Sequence, residues 1–291
     1  MKWTALLGIA LWPAACLPGD RGLPPTARAQ TAATDSIPAQ IIPNGRTVET
    51  RFPVPAGFVR QPTDSTTFAG FLRRLPLHPA GYPVHLFNGE MKYRQDVHAA
   101  VLDLDVGRSD LQQCADAVMR LRAEYLFHQK RYSDIHFRLT NGFEAEYARW
   151  RRGERVRVDG NRTNWVPGGP VGDRYADFRK YLDLVFMYAG TASLEKELVP
   201  VELNTLQAGD VWIKGGHPGH AVLVIDVAEH PDSGERLFLL AQSYMPAQEI
   251  HVLFRRDSDK PWYSTHDIGA GLETPEWIFE KKQLRRFPGE R

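Results

Sequence analysis

The sequence predicts a domain of the α+β class, with long helices of the N-terminal half packed on an antiparallel sheet formed by the C-terminal half. Three observations indicate this class. Amphipathic helical patterns dominate before residue 200, short strand patterns follow one another after it, and glycine- and proline-rich turns separate those strands. Hydrophobic residues at 43% and charged residues at 24% are ordinary values for a globular protein.

The first residues are typical of an export signal. Lys2 precedes an apolar run over residues 3–12, which is shorter than the about 20 residues that a membrane-spanning helix needs. Two cleavage sites compete: a lipobox-like sequence, which would make Cys16 the lipidated first residue, and an Ala-x-Ala sequence ending at residue 29. The sequence therefore predicts a signal peptide over residues 1–29 and a protein of the periplasm or outer membrane, with Cys16 as the candidate lipid anchor.

Two segments are expected after the signal. Residues 30–50 are small, polar and proline-containing, which predicts a flexible tether without a core-forming face. Residues 51–291 are expected to form a single α+β domain, because no repeat or second linker divides them. Within it we predict a strand over residues 99–106. A long helix should follow, capped by Ser109 or Asp110 and ending near Tyr132.

The remaining elements follow from similar patterns. A second helix is predicted over residues 175–188, and residues 141–174, rich in Arg, Gly and Trp, should form a long surface excursion. Glycine and proline then separate four predicted strands, over residues 210–214, 220–228, 237–243 and 248–254. The second of these strands is apolar on both faces, which indicates a central position in the sheet.

Charge and cysteine content exclude several classes of protein. Lys and Arg number 36 against 35 Asp and Glu, so the formal charge is +1. Without a basic surplus we expect no binding to nucleic acid, and a membrane would be reached only through a lipid anchor. The 2 cysteines are too few for a disulfide framework, a zinc ribbon or an iron–sulfur cluster.

Cys114 is the first candidate for chemistry. The predicted cap places it one turn inside a helix, where the macrodipole favours a thiolate and lowers the thiol pKa. It also shares an apolar stripe with Leu111 and Val118, so inert packing is the competing interpretation.

His220 and Gln242 are the second and third candidates. His220 begins the predicted central strand, and the glycines before it leave its approach free of side chains. Gln242 lies on the next strand, where its amide can accept from one imidazole N–H and turn the other nitrogen toward the thiol. A satisfied core histidine and a structural amide are the competing interpretations.

The order of these three residues resembles that of papain-like thiol hydrolases. The sequence Gly219-His220-Ala221-Val222 is similar to the histidine strand of the NlpC/P60 and CHAP branches, which cleave cell-wall peptides. This resemblance implies a papain-like, NlpC/P60-like core, with Cys114 as nucleophile, His220 as general base and acid, and Gln242 as orienting group. Backbone N–H groups at the helix start would hold the oxyanion. Such a site needs no cofactor and no metal.

Seven further segments carry a second resemblance: residues 110–118, 120–126, 188–191, 216–222, 241–248, 261–263 and 274–277. Together they are similar to a bacterial envelope family known as domain of unknown function 4846. The resemblance covers most of residues 50–290. It implies an exported, often lipid-anchored protein, and no settled activity comes with it.

Other groups of polar residues give weaker evidence of a functional site. His217 and His220, with His251, Asp226 or Glu249, could suggest a metal site, but a catalytic zinc needs three convergent ligands. The charges of Arg120, Arg122 and Glu124 indicate a solvated helix face or an internal ion pair.

The sequence thus predicts an exported cysteine peptidase or amidase, with cell-wall peptide or another amide as substrate. The alternative is a non-catalytic envelope lipoprotein that binds peptidoglycan, a glycan or a protein partner. In that case the Cys114 side chain would only pack against its neighbours, and aromatic cleft residues such as Trp262 would be needed for binding instead.

Overall fold

The computed structural model describes residues 41–289, over which the chain forms six α-helices and fifteen β-strands. The helices are α1 Val48–Arg51, α2 Phe68–Arg73, α3 Cys114–His128, α4 Tyr147–Trp150, α5 Tyr175–Tyr188 and α6 Thr191–Glu197. The strands are β1 Val59–Arg60, β2 His98–Val101, β3 His136–Arg138, β4 Glu144–Glu146, β5 Glu154–Asp159, β6 Arg162–Pro167, β7 Val199–Pro200, β8 Val211–Lys214, β9 His220–Glu229, β10 Arg236–Gln242, β11 His251–Leu253, β12 Tyr263–Ser264, β13 Gly271–Glu273, β14 Ile278–Glu280 and β15 Leu284–Arg286.

Nine strands form one antiparallel sheet in the order β2-β11-β10-β9-β8-β15-β7, with β1 beside β9 and β12 beside β10. The other strands pair as three short hairpins, β3–β4, β5–β6 and β13–β14. The α+β class predicted from the sequence is therefore confirmed.

The centre of the sheet is β9, as the apolar pattern predicts. Its side chains alternate between two cores, since successive residues of a strand point to opposite faces. Ala221 and Leu223 pack in the core that contains the apolar face of α3. Val222 and Val224 pack in the second core, with Trp212 of β8. By the same alternation the side chain of His220, the first residue of β9, lies on the face of the second core, where its ring packs against Phe279.

The helices are shorter than the sequence predicts. The longest, α3, begins at Cys114 rather than near Asp110, and it ends at His128 rather than near Tyr132. Gln113 is still extended, and its backbone N–H donates to Asp116 at 2.9 Å, as in a capping box. The second predicted helix is confirmed as α5, with the predicted ends. Within the described range, no helix is both long and apolar enough to cross a bilayer.

The four C-terminal strand predictions are confirmed with small shifts at their ends, as β8 to β11. The strand predicted over residues 99–106 is shorter, because regular pairing of β2 with β11 ends at Val101. The excursion over residues 141–174 is more ordered than expected, since it contains α4 and the β5–β6 hairpin, and Trp150 is buried there.

The folded domain begins earlier than predicted. Residues 41–50 pack on it: Val48 is fully buried, and Thr47 pairs with Pro76. Arg51 Nε donates to the Gly45 carbonyl at 2.9 Å, which fixes this segment further. The tether prediction is therefore wrong over residues 41–50. The predicted signal peptide over residues 1–29, Cys16 and the rest of the tether lie outside the described residues.

Candidate active site

A cleft of about 540 Å³ opens where the start of α3 meets the start of β9. Cys114 and His220 both line it. Its other walls come from the loop before β9, the end of α5 and the segments after β10 and β13, with side chains that include Phe186, Met187, Thr191, His217, Tyr244, Met245 and Trp277.

Cys114 is the first residue of α3, not one turn inside it. Its side chain is partly exposed, and the backbone N–H groups of Ala221 and Ala115 are near enough to the sulfur to lower the thiol pKa slightly against the larger effect of burial. Because Ala221 follows His220 directly, the thiol lies against the beginning of β9. Gln112 and Gln113 therefore precede the helix, and Cys114 stands at its first turn.

The expected fall in the thiol pKa does not occur. Burial, and after it the negative charge of Asp116, raises the pKa of Cys114 to about 11. Loss of hydration penalises the thiolate more than the helix start and the backbone N–H groups stabilise it. The prediction of a lowered pKa is therefore wrong, and the thiol is protonated at neutral pH.

Gln242 contacts the imidazole. Gln242 Oε1 lies 2.9 Å from His220 Nε2. Its Nε2 donates to Glu276 Oε2 at 2.7 Å and lies 3.4 Å from His251 Nε2. Since the amide nitrogen is used by these two acceptors, the amide oxygen accepts from His220 Nε2–H. The Nδ1 lone pair is left free to accept a proton.

His220 is uncharged at neutral pH. It is 2% exposed, and burial lowers its pKa to about 4. Its ring packs against three aromatic rings, with centroid distances of 4.9 Å to Tyr244, 5.3 Å to Trp277 and 5.8 Å to Phe279. The imidazole is thus a neutral base held in one tautomer and one orientation.

The thiol and the imidazole share the cleft without a direct contact of hydrogen-bond length. Within residues 41–289, the hydrogen bond of the His220 ring is the one to Gln242, and no hydrogen bond joins this ring to the sulfur. Catalytic hydrogen bonds are often long in unliganded enzymes and tighten when substrate binds. Direct proton transfer from sulfur to Nδ1 would therefore require the two groups to move closer together.

Glu276 and Lys92 extend this network beyond the residues predicted from the sequence. Lys92 Nζ donates to Glu276 Oε1 at 2.7 Å and lies 5.1 Å from the centroid of the Tyr244 ring. Both charged side chains are largely buried. The ion pair holds Glu276 against Gln242, and so acts on His220 through the amide. The one signal for Glu276 is its place in residues 274–277, which carry a family resemblance.

The candidate metal ligands are engaged elsewhere. His251 is fully buried, with Nδ1 2.9 Å from the Glu249 carbonyl. Asp226 accepts from Arg60 at 2.7 Å and from Arg73 at 2.8 Å. Among the described residues, no group of three His, Cys, Asp or Glu side chains is placed to hold a metal ion.

The charges on α3 form an internal ion pair rather than a solvated face. Arg120 and Glu124 are 1% and 3% exposed, and Arg120 Nε lies 3.1 Å from Glu124 Oε1. Arg120 also donates to Gln112 Oε1 at 2.5 Å. This buried guanidinium therefore holds the segment that leads into Cys114.

Comparison with known proteins gives one match. Residues 48–286, which include the whole cleft, match the family described as domain of unknown function (4846). No curated protein and no solved structure matches the chain.

Proposed function

Since the chain belongs to the family described as domain of unknown function 4846, whose description names no activity, we propose from its site that the protein is a papain-like cysteine hydrolase acting on an amide bond. One observation carries the proposal. Cys114 and His220 line the same cleft, while Gln242 holds the imidazole with Nδ1 free. A nucleophile, a base and an orienting group in this arrangement are the parts that acyl transfer needs.

In the proposed reaction, His220 Nδ1 takes the proton of Cys114 as the sulfur attacks the carbonyl carbon. The backbone N–H at the start of α3 stabilises the oxyanion. The carbon–nitrogen bond then breaks, and the imidazolium returns the proton to the leaving amine. A water molecule, activated by the same base, hydrolyses the thioester and releases the acid.

The resting pair in this mechanism is neutral. The pKa of His220 is about 4 and that of Cys114 about 11, so a thiolate–imidazolium pair is not the ground state. Proton transfer must therefore accompany the attack on carbon, as it does for a serine hydroxyl. We propose that the protein works in the cell envelope, on cell-wall peptide or another amide, because its first residues resemble an export signal.

The test is the alkylation of Cys114 by iodoacetamide between pH 5 and 9. Labelling is followed at the Cys114 peptide by mass spectrometry, which separates it from Cys16. We expect His220→Ala to lower the rate constant at pH 7 by about tenfold or more, because the base is lost. His217→Ala is the matched control, since His217 lines the same cleft but is exposed, and it should leave the rate unchanged. A thiol that reacts only on unfolding, or equally in both variants, would refute the hydrolase.

A second candidate function is non-catalytic binding in the same cleft, and the raised pKa of Cys114 favours it. Trp262 is not the relevant aromatic residue, because it is 4% exposed and its Nε1 donates to the Pro53 carbonyl. Trp277 lines the cleft instead. If the protein only binds, Cys114→Ala should retain binding to isolated cell-wall peptidoglycan and Trp277→Ala should lose it, as a sedimentation assay would show.

A further inference from the structure

Asp116 has an unpaired carboxyl oxygen beside the candidate nucleophile. It is the third residue of α3, lines the cleft and is 6% exposed. Its Oδ2 accepts from the Gln113 backbone N–H at 2.9 Å. Its Oδ1 is buried and has no hydrogen-bond partner among the described residues. Buried polar atoms are nearly always paired, so an exception in a cleft requires an explanation.

We propose that Asp116 binds a primary ammonium group that the substrate carries close to its scissile carbonyl. The proposal rests on the hydrolase function and narrows it to amides that bear a free amine, such as an amino-terminal residue or a diamino acid. The ammonium would donate to Oδ1, while Oδ2 keeps its place in the helix cap.

The charges of the cleft support a cationic ligand. The described residues that line it include two aspartates and no Lys or Arg. Asp110 is already used, because its Oδ1 accepts from the Ala247 backbone N–H at 2.6 Å and from Gln113 Nε2 at 3.2 Å. Asp110 is also exposed, whereas Asp116 Oδ1 is a buried acceptor without a partner among the described residues.

Ammonium binding would also change the charge of Asp116. Burial raises the pKa of this carboxyl to about 8, so its neutral form prevails at neutral pH in the empty cleft. A cation at Oδ1 would favour the carboxylate and lower this pKa. A substrate with the correct amine would thereby create its own counter-ion, whereas an acetylated analogue would not.

The first test compares three methanethiosulfonate reagents at Cys114: the cationic aminoethyl, the anionic sulfonatoethyl and the neutral methyl compound. In each reaction the thiolate displaces methanesulfinate and forms a disulfide, so the reagents differ mainly in charge. We expect Asp116→Asn to lower the ratio of cationic to anionic rates by about tenfold, the order expected for one charge contact in a partly desolvated site. The neutral reagent corrects for any change in the thiol pKa.

Asp116→Asn keeps an oxygen that can accept from Gln113, so the helix cap is preserved. Asp110→Asn is the matched control, because Asp110 is exposed and already bonded. It should lower the ratio less than twofold. An equal ratio in wild-type protein and Asp116→Asn would overturn the proposal.

The second test does not depend on a reactive thiol. L-Alaninamide, which is cationic, should raise the unfolding temperature of the wild-type protein, while N-acetyl-L-alaninamide should not. Cys114→Ala should retain this response and Asp116→Asn should lose it. Equal responses to the two compounds would overturn the amine site, even if Cys114 is reactive. An alaninamide response with an unreactive thiol would keep the amine site and refute the hydrolase.

Discussion

At the scale of single residues, burial has opposite effects on the pKa values of the two reacting groups. It raises the pKa of the Cys114 thiol and lowers that of the His220 imidazole, because each loses hydration of its charged form. The site therefore depends on orientation rather than on a preformed ion pair. Gln242 supplies that orientation, since its amide is fixed by His220, Glu276 and His251 together.

The buried histidines make folding stability depend on pH. The pKa is about 4 for His220 and about 3 for His251, against 6.5 without burial. Between these values the unfolded chain binds protons that the folded chain does not. Stability is thus complete above pH 6.5 and falls as the pH drops toward the folded-state values. For His220 alone we expect a loss of roughly 2 kcal/mol at about pH 4.5 relative to neutral pH.

Urea unfolding of the wild-type protein and His220→Gln at the two pH values measures this loss. The free energy of unfolding should fall less in the variant than in wild type, and the difference should equal the contribution of His220. His251 still contributes in both proteins. His217→Gln, which changes an exposed histidine, should behave as wild type. An identical pH dependence in wild type and His220→Gln would contradict the expectation.

Residue type and order were enough to select Cys114 and His220, which line one cleft, and Gln242, which contacts His220. His220 and Gln242 lie at the same end of adjacent antiparallel strands, a placement that strand pairing predicts. Glu276 lies in the short turn between β13 and β14, and no periodicity places that turn near Gln242. The pKa of Cys114 could not be predicted either, because it depends on burial by residues distant in sequence.

At the scale of elements, the start of α3 and the start of β9 set the site. Ser109 and Asp110 are good N-cap residues, and so the sequence predicts an earlier helix start. The chain instead makes a turn, in which the Gln113 backbone N–H donates to the Leu111 carbonyl oxygen at 2.8 Å. The helix then begins at Cys114, where the cap supplied by Asp116 is three residues downstream.

Gly219 determines how closely β9 approaches α6. A Cβ atom at this position would lie 2.4 Å from Thr191 Oγ1 and 2.5 Å from the Gly216 carbonyl oxygen. Gly219→Ala must therefore shift the backbone next to His220. We expect it to reduce the free energy of unfolding by about 1–3 kcal/mol. It should also reduce Cys114 alkylation toward the rate seen in His220→Ala.

Gly269→Ala is the control, because a Cβ there meets no atom within 4 Å and the residue is outside this cleft. It should leave both unfolding and alkylation unchanged. If Cys114 in Gly219→Ala is alkylated at the wild-type rate and the variant is as stable as wild type, the close packing before His220 is not needed for thiol reactivity.

At the scale of the whole molecule, the two halves of the chain are joined by a buried charge cluster. Asp226, in the middle of β9, is fully buried. It accepts from Arg60 of β1 and from Arg73 of α2, which lie 166 and 153 residues away in sequence. The pattern of helices followed by strands predicts the α+β class, but it gives no sign of this long-range connection.

Removing the charge of Asp226 should destabilise the whole domain. Burial raises the pKa of this carboxyl despite the two guanidiniums, so the cluster contributes little beyond the cost of its own desolvation. Asp226→Asn nevertheless leaves two largely buried arginines without their counter-ion. We expect a loss of about 3–5 kcal/mol in the free energy of unfolding, measured by urea denaturation.

The matched control is Asp134→Asn, which breaks an ion pair with Arg131. The Arg131 side chain is 46% exposed and that of Asp134 is 42% exposed, so the substitution should cost less than about 1 kcal/mol. Equal effects of the two substitutions would show that burial does not distinguish the pairs, and that other contacts hold β1 and α2 on the sheet.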